Sequence, residues 1–113
     1  MEELRVTALV ARVVRVFLDD PAAAVYGFDL MQRTRLPSGT IYPILARLEG
    51  AGWITGQLEP AEEASREGRP ARRLYRLTAE GAAAGRAALA ELTAQLQPAP
   101  VRALRARGQL GQA

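Results

Sequence analysis

Residues 38–55 read SGTIYPILARLEGAGWIT. Ile41, Ile44, Leu45 and Leu48 recur at i, i+3, i+4 and i+7, the spacing of one apolar helix face. Pro43 interrupts that pattern, where a helix interior normally rejects proline. The conflict resolves if Ser38 or Gly39 caps the helix. Pro43 then falls close to the first turn, whose N–H groups lack intrahelical partners, and removes at most one early bond. Gly52 follows the stripe as a C′ glycine, able to adopt the left-handed conformation that ends a helix.

Upstream, residues 3–19 suit a first helix with Val6, Leu9, Val10, Val13 and Phe17 as its apolar stripe. Asp19, Asp20 and Pro21 end it. A second helix is centred on residues 26–34, with residues 22–24 as a possible extension and Phe28, Leu30 and Met31 as candidate core residues. The short linker Arg35-Leu36-Pro37 then makes the second and third helices a helix-turn-helix.

Downstream, residues 53–58 and 72–77 are strand-like, with Tyr75 and Leu77 on one face. Between them, residues 59–71 are rich in Pro, Gly, Glu and Arg and are expected to form a long mobile turn. Helix-turn-helix followed by a hairpin is the order of a winged helix. Trp53 suits a seal between hairpin and body. Thr78 is a plausible N-cap for a last helix, with Glu80 in the first turn and Pro98 as the stop. On that helix Ala82, Gly85, Leu89, Leu92 and Leu96 are spaced as an a/d seam. The seam serves either a second subunit or the helix's own domain.

The expected fold is therefore mainly α with a β-hairpin wing. Residues 1–78 form a winged helix-turn-helix domain, residues 79–97 a dimerisation helix, and residues 98–113 a basic tail that is flexible or briefly helical.

Composition narrows the chemistry. The chain has 113 residues, of which 49% are hydrophobic but only 5% aromatic, so a small core completed by a partner is expected. Cysteine and histidine are both absent, which removes disulfides, the common zinc and iron sites and the usual general base. No nucleophile–base pair or phosphate loop can be assembled, so no enzyme, metal or cofactor is expected. There is no membrane-length apolar run, and a cytoplasmic setting is the default. The net charge is +3, and all 15 basic residues are arginine, the side chain that grips phosphate bidentately. A GC-rich coding bias also favours arginine over lysine, so position says more than number.

Two groups stand out by position. The outer face of the third helix carries Thr40, Tyr42, Pro43, Ala46 and Arg47, none acidic. A helix that enters a major groove needs such a face. Ser38, Gly39 and Thr40 can offer N–H and hydroxyl groups to a phosphate at the helix N-terminus. Ordinary capping by Ser38 and Thr40, packing of Tyr42 under the wing and a salt bridge for Arg47 are the competing roles. In the wing, Arg69, Arg72 and Arg73, with Arg66 and Arg76 nearby, suit phosphate or minor-groove contact.

Three blocks, YGFDL at 26–30, LPSGTIYPILARLEGAGWI at 36–54 and GRPARRLYRLTAEG at 68–81, give the sequence a specific likeness. It resembles the PadR-type transcriptional regulators, winged-helix proteins of the MarR-like group, over most of residues 4–97. The resemblance is to the compact subtype with a single C-terminal helix. It implies a homodimer, with the first and last helices at the interface, that sets two recognition helices and two wings on double-stranded DNA.

Val6, Ala82, Gly85, Leu89, Leu92 and Leu96 are the interface residues expected on this basis. The implied function is sequence-specific regulation, in the sense of a repressor, on a two-fold-related operator. The alternative is a winged-helix protein-interaction module that has lost DNA binding. Some relatives stack flat aromatic effectors against an aromatic residue of the last helix. Residues 79–97 contain none, so that mode of sensing is not expected, and any effector is left unspecified.

Overall fold

The computed structural model describes residues 4–98; the tail expectation for 99–113 and the start of the first helix at residue 3 lie outside the described residues. The elements are α1 (Ala8–Asp19), β1 (Val25–Tyr26), α2 (Gly27–Thr34), α3 (Ser38–Gly50), β2 (Ile54–Leu58), α4 (Ala61–Arg66), β3 (Arg73–Leu77) and α5 (Ala79–Leu96).

α1 starts later than its apolar stripe suggested. Thr7 is extended and its hydroxyl accepts the Val10 N–H at 3.3 Å, an N-cap that fixes the first turn. From that start Val10, Val13, Val14 and Phe17 share the inner face and are all buried. Leu9 is exposed instead of being part of the stripe. Val6 precedes the helix and packs partly against the core.

Residues 22–24 do not extend α2. The chain runs extended through Val25 and Tyr26, which pair with Tyr75 and Leu74. The expected two-stranded hairpin is thus a three-stranded antiparallel sheet of order β1-β3-β2. Tyr26 donates its N–H to the Asp29 carboxylate at 3.3 Å, which starts α2. With the helix beginning at Gly27, its inner face is Gly27, Leu30 and Thr34. Phe28 is rotated outward and is 58% exposed, so it is not a core residue.

The turn between α2 and α3 is held by the buried Thr34. Its hydroxyl donates to the Leu30 carbonyl and accepts the Leu36 N–H at 3.2 Å, while Arg12 of α1 donates to the Thr34 carbonyl at 3.0 Å. Arg35 takes a left-handed conformation, φ 59°, and its N–H closes the helix on Met31. Ile41, Ile44, Leu45 and Leu48 of α3 are all buried, joining Leu30, Ile54, Tyr75 and the α1 valines in one core. α3 ends in a Schellman motif: Gly52 has φ 79° and bonds to Glu49, and Trp53 N–H reaches the Leu48 carbonyl at 2.9 Å.

β2 and β3 pair from Ile54↔Leu77 to Leu58↔Arg73. The expected mobile turn is instead built: it contains α4, started by Pro60 with Glu62 and Glu63 in its first turn, and the inner side of α4 buries Ala64.

Thr78 is the N-cap of α5 and accepts the Gly81 N–H at 2.9 Å. Its own N–H donates to the Trp53 carbonyl, also at 2.9 Å, so the cap ties α5 to the base of the hairpin. Gly81 is required there, because a Cβ would lie 2.0 Å from the Trp53 carbonyl oxygen. One turn on, a Cβ at Gly85 would lie 2.9 Å from a methyl of Val14. The space beside Gly85 is therefore filled by α1 of the same chain. Ala82 is half-buried and Leu89 packs partly on the core. The helix emerges after that: Leu92 is half-buried and Leu96 is 76% exposed.

Candidate nucleic-acid interface

α3 turns two faces in opposite directions. With the aliphatic stripe inward, Ser38, Gly39, Tyr42, Pro43, Ala46 and Arg47 are exposed and Thr40 is half-buried. The N-cap is Pro37, one residue earlier than expected, and no side chain caps the helix. The Pro37 carbonyl accepts the N–H groups of Thr40 and Ile41, both at 3.0 Å. Ser38 and Gly39, in the first turn, have N–H groups that precede any intrahelical partner. Pro43 is the sixth helical residue, so the Gly39 carbonyl lacks its usual i+4 donor, on an exposed side of the helix. A Cβ on Gly39 would meet nothing within 4 Å, so no contact inside the chain requires glycine there.

Tyr42 is 48% exposed. Its hydroxyl leans on the start of α2, where a Cβ at Gly27 would stand only 2.6 Å from it. The adjacent Tyr26-Gly27 pair of the YGFDL block thus sets two things, the sheet edge and the seat of Tyr42. Arg47 makes no ion pair among the described residues; with Thr7, Leu9, Thr40 and Pro43 it lines a shallow groove where α1 begins.

The wing arginines divide by face and by partner. Arg69 is held inside the wing: both terminal guanidinium nitrogens donate to the Glu59 carboxylate, and its Nε donates to Glu67 at 2.8 Å. Sequence placed Arg69 on phosphate; its donors are committed to carboxylates instead. Glu59 also accepts the Arg72 N–H at 3.1 Å and is nearly inaccessible to solvent. The Arg69 hydrogen bonds outweigh burial and, with help from the Arg72 N–H, hold the Glu59 carboxyl at about 2. Arg69 is pushed further above the usual guanidinium range by the same bonds. Arg72 stacks over the Tyr26 ring at 3.8 Å from its centroid. Arg73, on the opposite face, pairs with Glu49 of α3 at 2.9 Å. Arg76 donates to the Ala22 carbonyl at 3.2 Å.

Sequence reasoning missed Glu59 because its partner lies ten positions away and the intervening segment reads as an unstructured loop. The adjacent strand end and the GRP turn were the available signals. Of the residues expected at a dimer interface, Leu92 sits beside Leu4 and Val6 at the outer end of α5, lining one shallow groove.

The arrangement is a helix-turn-helix with an ordered wing. Among the described residues no helix is long and apolar enough to cross a membrane. Comparison with known proteins agrees with this architecture. The profile of the Transcriptional regulator PadR-like family matches residues 22–91. No curated protein matches. Among solved structures, a PadR family transcription regulator from Clostridium difficile R20291 is 21% identical, with a TM-score of 0.62 over 75% of this chain and 86% of that one. A PadR family regulator from Eggerthella lenta DSM 2243 is 22% identical, with a TM-score of 0.60 over 77% of each chain. BpsR of Bordetella bronchiseptica, whose DNA binding is regulated by 6-hydroxynicotinic acid, is 20% identical, with a TM-score of 0.63 over 100% of this chain and 84% of that one. With its winged helix and a family match spanning residues 22–91, the chain belongs to the PadR-like family of transcriptional regulators.

Proposed function

We infer that this protein represses transcription by binding a two-fold-related operator as a homodimer. The observation that carries the reading is the outer face of α3: exposed, free of acidic side chains through Arg47, and glycine at Gly39 where nothing in the chain demands it. A glycine facing open space suits close approach of a partner's backbone. The first turn of α3 offers the N–H groups and hydroxyls of Ser38, Gly39 and Thr40 to a phosphate. Thr40, Tyr42 and Arg47 follow along the groove-facing side as base-edge readers, with Pro43 fitting closely between them. Arg72 and Arg73 hold phosphate from the wing, and Arg69 serves as the wing's internal brace.

The second subunit docks on the part of α5 that has left its own body, through Leu92 and Leu96 together with Val6. A dimer seated on a promoter excludes polymerase, which is why repression is the sense of regulation proposed. Selection of bound sites from random duplex DNA tests this reading. Two inverted half-sites about one helical turn apart are expected; enrichment of no site, or of a single unrepeated site, would contradict it. Separately, Leu92→Arg places a charge in the subunit seam and is expected to convert the dimer to monomer in sedimentation. A native protein already monomeric at micromolar concentration would sink the dimer.

A further inference from the structure

The geometry points to Glu49 as an internal counterion for Arg73, a pairing that holds down the protein's grip on DNA of any sequence; this rests on the DNA-binding reading above. Glu49 is the sole acidic residue of α3. It lies in the last turn, where the helix dipole disfavours a carboxylate. Its partner, Arg73, reaches it from β3 at 2.9 Å. Both side chains are more than a third exposed, and such pairs add little to stability. Holding the fold together is therefore a poor reason for the pair.

A third residue points the same way. The Arg73 guanidinium crosses β2 at Gly56, where a Cβ would lie 2.7 Å from its Nε and from one terminal nitrogen. Glycine inside a strand weakens it. Two unfavourable choices, an acid at a helix C-terminus and a glycine within a strand, thus combine to place one guanidinium against one carboxylate. The other wing cations are arranged differently: Arg69 is half-buried between Glu59 and Glu67, and Arg72, on the opposite face, stacks on the Tyr26 ring with Glu59 3.6 Å away.

The consequence is electrostatic. Each cation that neutralises a phosphate releases counterions and steepens the salt dependence. A cation already matched by Glu49 delivers almost no net charge. It contributes little to non-specific binding until a correctly docked phosphate draws it away. Suppressing the non-specific term raises the ratio on which operator search depends.

The experiment is a salt series on random duplex DNA with the full chain and with Glu49→Gln, Arg73→Ala and the double variant. Glu49→Gln is expected to bind tighter, with a slope steeper by about 0.9 per subunit, so that the loss between 50 and 200 mM salt grows about threefold for each subunit, roughly tenfold for the dimer. Arg73→Ala alone is expected to change the slope by much less than that. In the double variant the whole gain disappears. A slope that is unchanged in Glu49→Gln, a gain that survives in the double variant, or a full loss of about 0.9 on Arg73→Ala alone would each overturn the inference while leaving DNA binding intact. Failure of the unaltered protein to bind any duplex would overturn the DNA-binding reading, and this inference with it.

Discussion

The third helix and the wing both face outward and both carry arginine, yet they handle their polar groups in opposite ways. α3 keeps its outer groups uncommitted: Ser38 caps nothing, the Gly39 carbonyl has lost its helical donor, and Arg47 makes no ion pair among the described residues. The wing commits nearly all of its own: Arg69 to Glu59 and Glu67, Arg72 to Tyr26 and Glu59, Arg73 to Glu49, Arg76 to a carbonyl. The difference follows from support. α3 is held from behind by four buried aliphatic side chains, so its outer face need not contribute to holding it. The wing has only Ala64 and the sheet base beneath it and must draw order from its charges. Basic residues that look alike in a sequence thus divide into those that build and those that remain available.

Removing the support behind α3 should have the largest effect. Leu48 is fully buried, and Leu48→Ala is expected to cost about 2–5 kcal/mol in urea unfolding, taking the exposed face down with it. A loss near zero would mean that α3 is not held as described. At the wing the corresponding weak point is its base. Gly81→Ala forces a methyl against the Trp53 carbonyl oxygen, and a cost of about 1–3 kcal/mol or more is expected from overpacking. Hydrogen exchange should then quicken in β2 and β3 as well as in α5; a change confined to α5 would show that the wing does not lean on it.

A smaller effect is expected from acid. Glu59 is held at about 2, below the 4.5 of an unperturbed glutamate, so its contribution is fully present above about 4.5 and is lost as pH falls toward 2. Residues 59–72 should lose exchange protection across that window before α3 does. Glu59→Gln should lose the same protection at neutral pH and show no further wing-specific change on acidification. Equal protection of both regions down to pH 2 would remove the distinction between a wing ordered by charge and a helix ordered by burial.

What could be seen in the sequence follows the same division. The stripe Ile41, Ile44, Leu45 and Leu48, the C′ glycine Gly52 and the cap Thr78 were legible because each is a local rule, fixed within one or two helical turns. Thr7 was legible in principle, but the apolar residues before it drew the first helix too far toward the N-terminus. β1 was not legible, since two residues become a strand only through pairing some fifty positions away. Phe28 was misplaced because a helix start at Gly27 decides which way it points. Gly85 read as part of a seam between subunits because small residues mark close packing without saying with what; Val14 supplies the answer. In the candidate site, the residues of α3 came directly from periodicity. Arg69 and Glu59 did not, because an ion pair across a loop has no local signature.

The central claim, that α3 reads bases while the wing holds phosphate, is tested most directly by one paired salt series. Tyr42→Ala and, in the wing, Arg72→Ala are titrated against the selected operator and against random duplex. The account predicts that Tyr42→Ala lowers discrimination between the two DNAs by about 1–3 kcal/mol and leaves the salt slope nearly unchanged. It predicts that the wing variant weakens both DNAs alike and flattens the slope. The opposite outcome, a flattened slope from Tyr42→Ala and altered sequence preference from the wing variant, would contradict it.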